Sequence, residues 1–490
     1  MARPASSQGT AEPLVAPRFA TFSQKRRAHY DRIAATVTAM PTWSDAYHRR
    51  IAAIYRFLVP PGQRVLELGC GQGNLLAALK PAVGVGVDFS AKTLARAAQR
   101  HPQLIFIRAE AHQIPLTGPF DVIILSDLVN DLWDVQAVFE QLGRVCQPQT
   151  RIIINSYSRV WEQPLRLVRK LGLANPSLDQ NWLTSADITG LLSLADFEVV
   201  RRWQEVLWPL AIPGLARLAN QVLVKIAPLN QLALSNFILA RPAGTRALRA
   251  TEPTVSIIIA ARNEAGNVPA IFARTPTLGA HTELIFVEGH SQDGTYEAIA
   301  QAIAANPQRP CKLLRQPGEG KGDAVRVGFA AAEGDILMIL DADLTMPPED
   351  LPRYYEALRS GKAEFANGVR LVYPMEQEAM RYMNFLGNKF FSLAFSYLLG
   401  QPIKDTLCGT KVLWRSDYAQ LARNRSYFGD FDPFGDFDLI FGAARMGLKI
   451  LDLPIRYRER TYGTTNISRW KHGVLLLRMT LFAAGRIKFI

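Results

Sequence analysis

Short apolar segments alternate with helix-forming stretches twice along this chain, and the second alternation starts afresh instead of continuing the first. From residue 64 the apolar segments fall at 65–68, 83–87, 104–108, 122–126 and 152–155. From residue 255 they fall at 255–259, 284–287, 312–315, 336–340 and 363–368. Near-continuous runs of Val, Ile and Leu suit strands buried on both faces, and the helices between them are what cover those faces. The pattern predicts an α/β chain with two largely parallel sheets. At 490 residues the chain also exceeds what one core holds, since domains run to roughly 100–200 residues.

Residues 1–24 are polar and rich in Ala, Pro and Ser, which predicts a flexible terminus. Helical periodicity over 28–40 and 46–58 ends at Pro60-Pro61-Gly62. After a less regular stretch, Phe237-Ile238-Leu239-Ala240 has the pattern of a last strand, closed by Arg241-Pro242-Ala243-Gly244. These marks place a first domain over 25–242, a linker over 243–252 and a second domain over 253–490 that ends in a basic, apolar tail.

With 48% hydrophobic and 20% charged residues, the composition excludes wholesale disorder. Four cysteines (Cys70, Cys146, Cys311, Cys408) lie far apart with no CxxC pair, and residues 1–10 are polar, so a reducing cytoplasm is the expected compartment. The net charge of +13 is unevenly placed. Residues 1–250 hold 28 Lys and Arg against 17 Asp and Glu, residues 251–490 hold 28 against 26, and 455–490 alone hold eight basic groups and one acidic. A basic tail on an acidic body predicts an anionic surface or a phosphate-bearing acceptor as partner. No aromatic-basic reader motif accompanies it, so nucleic acid is not an expected partner. No stretch has the roughly 18 uninterrupted apolar residues of a membrane span. The nearest are 390–399 and 474–490, the latter interrupted by Arg478, Arg486 and Lys488. Both suit core helices or helices lying on a bilayer, and the expectation is peripheral contact with the inner face of the membrane.

The first alternation contains Val65-Leu66-Glu67-Leu68-Gly69-Cys70-Gly71-Gln72-Gly73, followed one strand later by Gly86-Val87-Asp88-Phe89-Ser90. A glycine loop at a strand's carboxyl end lets a ligand approach the backbone, and an acid at the end of the next strand can accept hydrogen bonds from a ribose diol. That spacing alone also describes a nicotinamide site. With Ala109-Glu110-Ala111 and Phe120-Asp121-Val122-Ile123 added, the segment resembles class I S-adenosylmethionine-dependent methyltransferases, closely over 45–160 and loosely to 242. The resemblance implies a Rossmann-like sheet in which Glu67, Gly69, Gly71 and Gly73 shape the methionine end of the cofactor pocket. Asp88 would hold the ribose, Glu110 and Ala111 would lie near the adenine, and Ser126 with Asp127 would close the pocket. Asp127, Asp131 and His112 are candidate bases, and Tyr30 and Tyr47 could cover the pocket or pack as helix residues.

In the second alternation the first strand runs into Ala261-Arg262-Asn263-Glu264 and the next ends in Glu288-Gly289-His290-Ser291-Gln292-Asp293-Gly294-Thr295. Gly320-Lys321-Gly322-Asp323 follows, then Asp341-Ala342-Asp343 at the end of an apolar strand. Two carboxylates across one residue suit a Mg²⁺ or Mn²⁺ that bridges a nucleoside diphosphate and stabilises it as leaving group. Over nearly all of 253–470 the chain resembles family-2 inverting glycosyltransferases of the GT-A fold, especially polyprenyl-phosphate sugar transferases. The resemblance implies that Ala261, Glu264, Glu288, Asp293 and Lys321 line the nucleotide-sugar site and that Asp341 and Asp343 bind the metal. Asp436 would be the catalytic base, with Asp438 as fallback, and Arg460 would meet the acceptor phosphate. Glu288 stands where many relatives have Asp, and Thr345 replaces an amide that polyprenyl-phosphate relatives often use as a third metal ligand. Arg469-Trp470 matches only part of the late basic-aromatic element of processive relatives.

The expected protein is therefore a bifunctional enzyme. A UDP- or GDP-linked sugar would pass to a polyprenyl-phosphate or glycan acceptor in the second domain. S-adenosylmethionine would supply a methyl group in the first, within one glycan or glycolipid pathway. The alternative keeps the glycosyltransferase and makes the first half a non-catalytic cofactor-binding or docking module.

Overall fold

The computed structural model describes residues 16–36, 44–170, 178–210, 212, 214–244, 251–373, 382–424, 435–458, 460, 462 and 469–489. They form two compact units, and the chain holds two seven-stranded sheets.

The first sheet consists of β1 (Arg64–Leu68), β2 (Val83–Asp88), β3 (Ile105–Arg108), β4 (Phe120–Ser126), β5 (Cys146–Tyr157), β6 (Phe197–Glu205) and β7 (Ser235–Pro242). Its order is β3-β2-β1-β4-β5-β7-β6. Strands β1 to β5 pair in parallel, with Leu68 opposite Val87 on one side and Leu125 on the other. Strand order reverses between β1 and β4, so the loops leaving their carboxyl ends diverge and open a crevice. Leu66, Leu68, Ile123, Ile124, Leu125, Ile152 and Ile154 are fully buried, each contributing about 1.5–3 kcal/mol through burial.

The expected flexible segment is helical where it is described: one helix runs over Ala16–Thr36, beginning well before the expected 28–40, and a second over Ser44–Leu58. Pro17 sits in the first turn, where its missing N–H costs nothing, and Ala, Gln, Lys and Arg among the following residues are good helix formers.

The second sheet consists of β8 (Val255–Ala261), β9 (Thr282–Glu288), β10 (Cys311–Arg315), β11 (Ile336–Ile339), β12 (Phe365–Val369), β13 (Lys411–Trp414) and β14 (Ile450–Pro454), in the order β10-β9-β8-β11-β13-β12-β14. The four strands β10-β9-β8-β11 are parallel as expected. Beyond them β13 runs antiparallel to both β11 and β12, which makes the sheet mixed. Its core gathers Val255, Ile257, Ile259, Phe286, Met338 and Trp414, with Phe272 stacked on Phe286 at 5.4 Å. All four cysteines are free thiols.

Candidate active sites

At the end of β1 the backbone turns through Gly69, Gly71 and Gly73, all at positive φ (69°, 51° and 71°), into the short helix Asn74–Ala78. A Cβ on Gly69 would lie 2.8 Å from the Leu128 side chain, so only glycine permits this close approach to the chain leaving β4. Asp88, the last residue of β2, ties the loops together: its Oδ2 accepts from Gly71 N (3.1 Å) and its Oδ1 from Ser90 N (2.9 Å). Burial raises its pKa above the usual aspartate value. Glu67 is 3% exposed, its Oε2 has no hydrogen-bond partner among the described residues, and burial pushes its pKa up to about 8. A buried carboxylate oxygen without a donor is costly unless a ligand supplies one, so this cradle fits a cofactor bearing an ammonium group and a ribose. Glu67, Gly71 and Gly73 would hold the former, Asp88 the latter.

Among the sequence candidates, Gly69, Asp88, Glu110, Ala111, His112 and Asp131 line one cavity with Phe22, Ser23 and Arg26 from the helix Ala16–Thr36, and Asp127 lies off its wall. Glu67, Gly71, Gly73 and Ser126 lie off its wall. Only the later part of this helix, with Tyr30, is legible in the sequence; its first turns, which bring Phe22, Ser23 and Arg26, read as a polar Ala- and Ser-rich tail. Ser23 Oγ and the Arg27 guanidinium (Nε 3.0 Å, Nη2 2.5 Å) both donate to Glu110 Oε1. Arg26 Nε donates to the Asp131 carbonyl (2.8 Å), and Tyr30 OH donates to Asp131 Oδ2 (2.7 Å).

The three candidate bases are separated by their partners. Asp131 is committed to Arg26 (3.3 Å) and Tyr30. His112 Nε2 accepts from Asp134 N (3.2 Å), which leaves the proton on Nδ1 and no lone pair for an acceptor, and burial lowers its pKa. Asp127 has no cationic partner among the described residues. Its Oδ1 takes two neutral donors, Tyr47 OH (2.7 Å) and Asn155 Nδ2 (2.6 Å), and burial pushes its pKa up to about 7.

In the second unit β8 ends at Ala261, and the turn beyond it holds Asn263 at φ 57°. Glu264 is buried, and burial raises its pKa. Its Oε2 accepts from Asn267 Nδ2 (2.7 Å) and its Oε1 from Arg460 Nη1 (2.9 Å). Glu288, last in β9, accepts from Ser291 N (2.5 Å) and so shapes its own loop. Asp293 receives Thr295 N (3.2 Å), the Thr295 hydroxyl, Ala265 N (3.3 Å) and Tyr462 OH (3.2 Å). It is a hub joining the loops after β8 and β9 to Tyr462 of the carboxy-terminal segment. The Tyr462 ring also packs over Gly266, leaving no room there for a Cβ, a contact no motif announced.

Asp341 and Asp343 follow β11 and already hold cations. Lys321, first residue of the helix Lys321–Ala331, places Nζ 2.5 Å from Asp341 Oδ1. Arg460 Nη2 lies 2.7 Å from Asp343 Oδ2, and Thr345 donates through N (3.1 Å) and Oγ1 (2.8 Å) to Asp343 Oδ1. Burial alone would raise the Asp341 pKa, but Lys321, Lys411 and Arg370 outweigh it and hold the carboxyl below the usual range. Thr345 therefore orients Asp343 in the place where an amide was noted as the family's third ligand. Two hard oxygen donors fit a divalent cation. Among the described residues no third His, Cys, Asp or Glu joins them, so a bound diphosphate would complete the shell.

The backbone of Gly409 presses against the Lys321–Asp341 pair so closely that a Cβ cannot be accommodated. That loop hangs on Asp405, which is fully buried and accepts from Arg370 Nε (2.7 Å) and Nη2 (2.9 Å), Asn388 Nδ2 (2.9 Å), Leu407 N (3.0 Å) and Cys408 N (3.1 Å). Burial works against the charge, yet Arg370 and these donors hold the Asp405 pKa at about 2. Breaking a buried pair of this kind costs about 3–5 kcal/mol. Asp405→Ala is thus expected to lower the melting temperature by on the order of 10 °C in calorimetry. Because the folded pKa lies below the unfolded value of about 3.9, the stabilisation is present above pH ~4 and is lost as pH falls towards 2. The variant should show a flatter acid limb, and a wild-type melting temperature would refute the anchor.

Asp436 opens the helix Asp436–Arg445 behind Gly435 at φ 71°, and its side chain lies outside the described residues. Asp438, two residues on, is buried. Phe434, residues 463–466 and the side chains of Arg469 and Trp470 also lie outside them.

Residues 60–207 match the family described as methyltransferase domain, and residues 256–421 match glycosyl transferase family 2. Undecaprenyl-phosphate 4-deoxy-4-formamido-L-arabinose transferase of Aeromonas hydrophila is 35% identical over 111 residues, which are 22% of this chain and 34% of that one. Dolichol-phosphate mannosyltransferase of Pyrococcus furiosus is 37% identical over 121 residues, 24% of this chain and 33% of that one. The chain thus spans about a third of the length of these curated relatives. Among solved structures, magnesium protoporphyrin IX methyltransferase of Synechocystis with bound SAH overlaps 45% of this chain and 100% of its own, at 17% identity and a TM-score of 0.31.

Fold and family matches together define a chain with two α/β domains in series, a methyltransferase-type domain and a glycosyltransferase-type domain. The chain carries, in this order, a segment matching a methyltransferase domain (60–207) and a segment matching glycosyl transferase family 2 (256–421).

Proposed function

We propose that the second domain transfers a sugar, with inversion, from a UDP- or GDP-linked donor to a polyprenyl phosphate or a glycan, and that the first methylates a component of the same pathway from S-adenosylmethionine. The observation that carries this reading is the convergence of Asp341, Asp343, Lys321, Arg460 and Glu264 beside the carboxyl ends of β8 and β11. Asp341 and Asp343 would hold a Mg²⁺ or Mn²⁺, which supplies Lewis-acid stabilisation of the leaving diphosphate. Lys321 and Arg460, released from the carboxylates, would turn to phosphate oxygens, and a guanidinium suits bidentate contact there. Asp436 would take the proton of a hydroxyl acceptor; a phosphate acceptor needs no base.

The test incubates the full chain and Mn²⁺ or Mg²⁺ with lipid extract and labelled UDP-, GDP- and dTDP-sugars, using Asp341→Ala/Asp343→Ala as control. Label in the organic phase that the control loses supports a lipid-linked product. Donor turnover without such label points to a soluble acceptor.

One observation favours the second reading of the first domain, as a cofactor-binding module without turnover: the helix Ala16–Thr36 already engages Glu110 through Ser23 and Arg27. Methyl transfer to the purified glycan product separates the readings.

Peripheral membrane contact belongs to the same proposal. Among the described residues no helix is long and apolar enough to cross a membrane. The helix Tyr382–Leu399 buries Phe391, Phe395 and Leu398 and leaves Leu386, Phe390 (57% exposed), Leu393 (73%) and Tyr397 outward at helical spacing. The helix Arg469–Ala483 packs against it and exposes Val474, Leu477 and Leu481 while burying Leu476, Met479 and Ala483. Arg478 is exposed, and Lys488 lies 4.5 Å from the Tyr397 ring. Apolar stripes with basic neighbours suit an anionic bilayer surface. Phe390→Glu/Leu393→Glu is expected to cut co-flotation with phosphatidylglycerol vesicles at least tenfold and to leave stability within about 0.5 kcal/mol, since both side chains are exposed. Unchanged flotation would remove this face from the membrane reading.

A further inference from the structure

Asp127 follows β4 directly, two residues beyond Leu125, the last residue of β4 in register with β1. It therefore stands over the crevice where strand order reverses, the place at which sheets of this kind receive ligands. Its neighbour Leu128 lines the cavity with Gly69, His112 and Asp131; Asp127 itself lies one residue behind that wall. The residue keeps some accessible surface, and its backbone is held at φ 54°, a conformation a non-glycine residue adopts only where its surroundings impose it. Asp127 N donates to the Asn155 carbonyl (3.0 Å), which fixes that turn.

The two carboxyl oxygens are treated differently. Oδ1 takes both Tyr47 OH and Asn155 Nδ2. Tyr47 OH also meets Ser235 Oγ (2.9 Å), and Asn155 Oδ1 accepts from Tyr55 OH (2.7 Å), which orients the amide so that its NH₂ faces Asp127. Oδ2 receives no donor from the described residues. The result is a carboxylate whose Oδ1 is clamped by two neutral donors, whose Oδ2 has no donor among the described residues, and which lacks the Lys or Arg that would quench its basicity. Asp131, by contrast, is neutralised by Arg26.

We propose that Asp127 is the proton acceptor for a methyl acceptor bearing a hydroxyl group, so that the first domain makes methyl ethers on an oxygen of its substrate. The inference rests on the methyl-transfer reading of that domain. As the acceptor oxygen attacks, its O–H bond breaks and the proton goes to Asp127 Oδ2. The new O–CH₃ bond forms while the methyl–sulfonium bond breaks, its electron pair staying on sulfur as a neutral thioether. Asp127 later returns the proton to solvent. Tyr47 is a positioning residue, acting through its hydrogen bond to Oδ1.

The experiment incubates the full chain with [methyl-¹⁴C]S-adenosylmethionine, nucleotide sugars and membrane lipid extract, assigns the labelled position by mass spectrometry, and measures cofactor binding separately by calorimetry. Label is expected on oxygen. Asp127→Asn should lower transfer by roughly 10²- to 10⁴-fold with cofactor affinity unchanged, and Asp127→Glu should recover part of it. The groups facing Asp127 are Tyr47 and Tyr55 from the helix Ser44–Leu58, Tyr157 from β5, and Asp131 with its partners Arg26 and Tyr30. The tyrosines all titrate well above neutrality. Wild-type kcat/KM should therefore rise with pH through about 7, a limb that vanishes in Asp127→Asn and moves upward in Tyr47→Phe, which removes a donor to the ionised form. Label on nitrogen or carbon, or transfer by Asp127→Asn within threefold of wild type, overturns the proposal. Full cofactor binding with no label anywhere overturns it together with turnover, and loss of cofactor binding in the wild type overturns the underlying reading first.

Discussion

Asp343→Ala is expected to lower sugar transfer by about three orders of magnitude, because loss of one metal oxygen removes several kcal/mol of leaving-group stabilisation and each 1.36 kcal/mol is tenfold in rate. The structure makes the side effects readable. Asp343 is paired with Arg460 and capped by Thr345, while Arg460 retains Glu264 when Asp343 is gone. The loop should therefore persist, and melting temperature should change little. Mn²⁺ binding, followed by electron paramagnetic resonance, should weaken in Asp343→Ala. In Arg460→Ala without nucleotide it should strengthen, since the internal competitor for Asp343 is removed. A variant lacking the Asp343 carboxylate that still turns over within tenfold of wild type would leave the metal assignment without support.

Glu67→Gln should weaken S-adenosylmethionine binding by about 10- to 100-fold, the worth of a charge-assisted hydrogen bond in a buried place. The sign of the pH effect follows from its pKa of about 8. The folded apoprotein holds the proton on Glu67 at neutral pH, so the contribution of Glu67 to stability is fully present below pH ~4.5 and is lost as pH rises towards 8. A cofactor ammonium favours the ionised form, so binding at pH 7 should release a proton and tighten as pH rises. Calorimetry in two buffers of different ionisation enthalpy measures that release directly. Proton uptake, or equal affinity in wild type and Glu67→Gln, would show that the ammonium goes elsewhere.

Both sites sit where the alternation of apolar strands predicts loops, because a strand buried on both faces has a strong signature and its carboxyl end is where ligands meet the sheet. Strand β1 with its glycines and β11 with its acid pair were legible for that reason. Three strands were not. β6 carries Glu198, Arg201 and Arg202 among its apolar residues, β13 spans only Lys411–Trp414, and β14 includes Asp452 and Pro454. Such strands lack the continuous apolar run and are specified by their neighbours.

The partners of the site residues were less legible than the residues. Nothing local in Phe22, Ser23 or Arg26 announces a cofactor pocket, since their role depends on a helix folding back over the sheet. The sequence leads to an expected phosphate for Arg460 but not to its pairing with Glu264 and Asp343, 196 and 117 residues away. Only long-range packing creates that contact. The separation of Asp127 from Asp131 and His112 likewise depends on Tyr47, Asn155 and Arg26, each from a different element.

Arg460 and Lys321 give the acidic pair of the glycosyltransferase domain its own counterions. On the proposed reading, a divalent ion would displace Lys321 from Asp341 and Arg460 from Asp343, and an accompanying diphosphate would offer both cations fresh oxygens, while Arg460 keeps Glu264. If Asp341 and Asp343 hold the metal as proposed, this pairing predicts that metal and nucleotide donor bind synergistically, each weakening the counterion contacts that oppose the other.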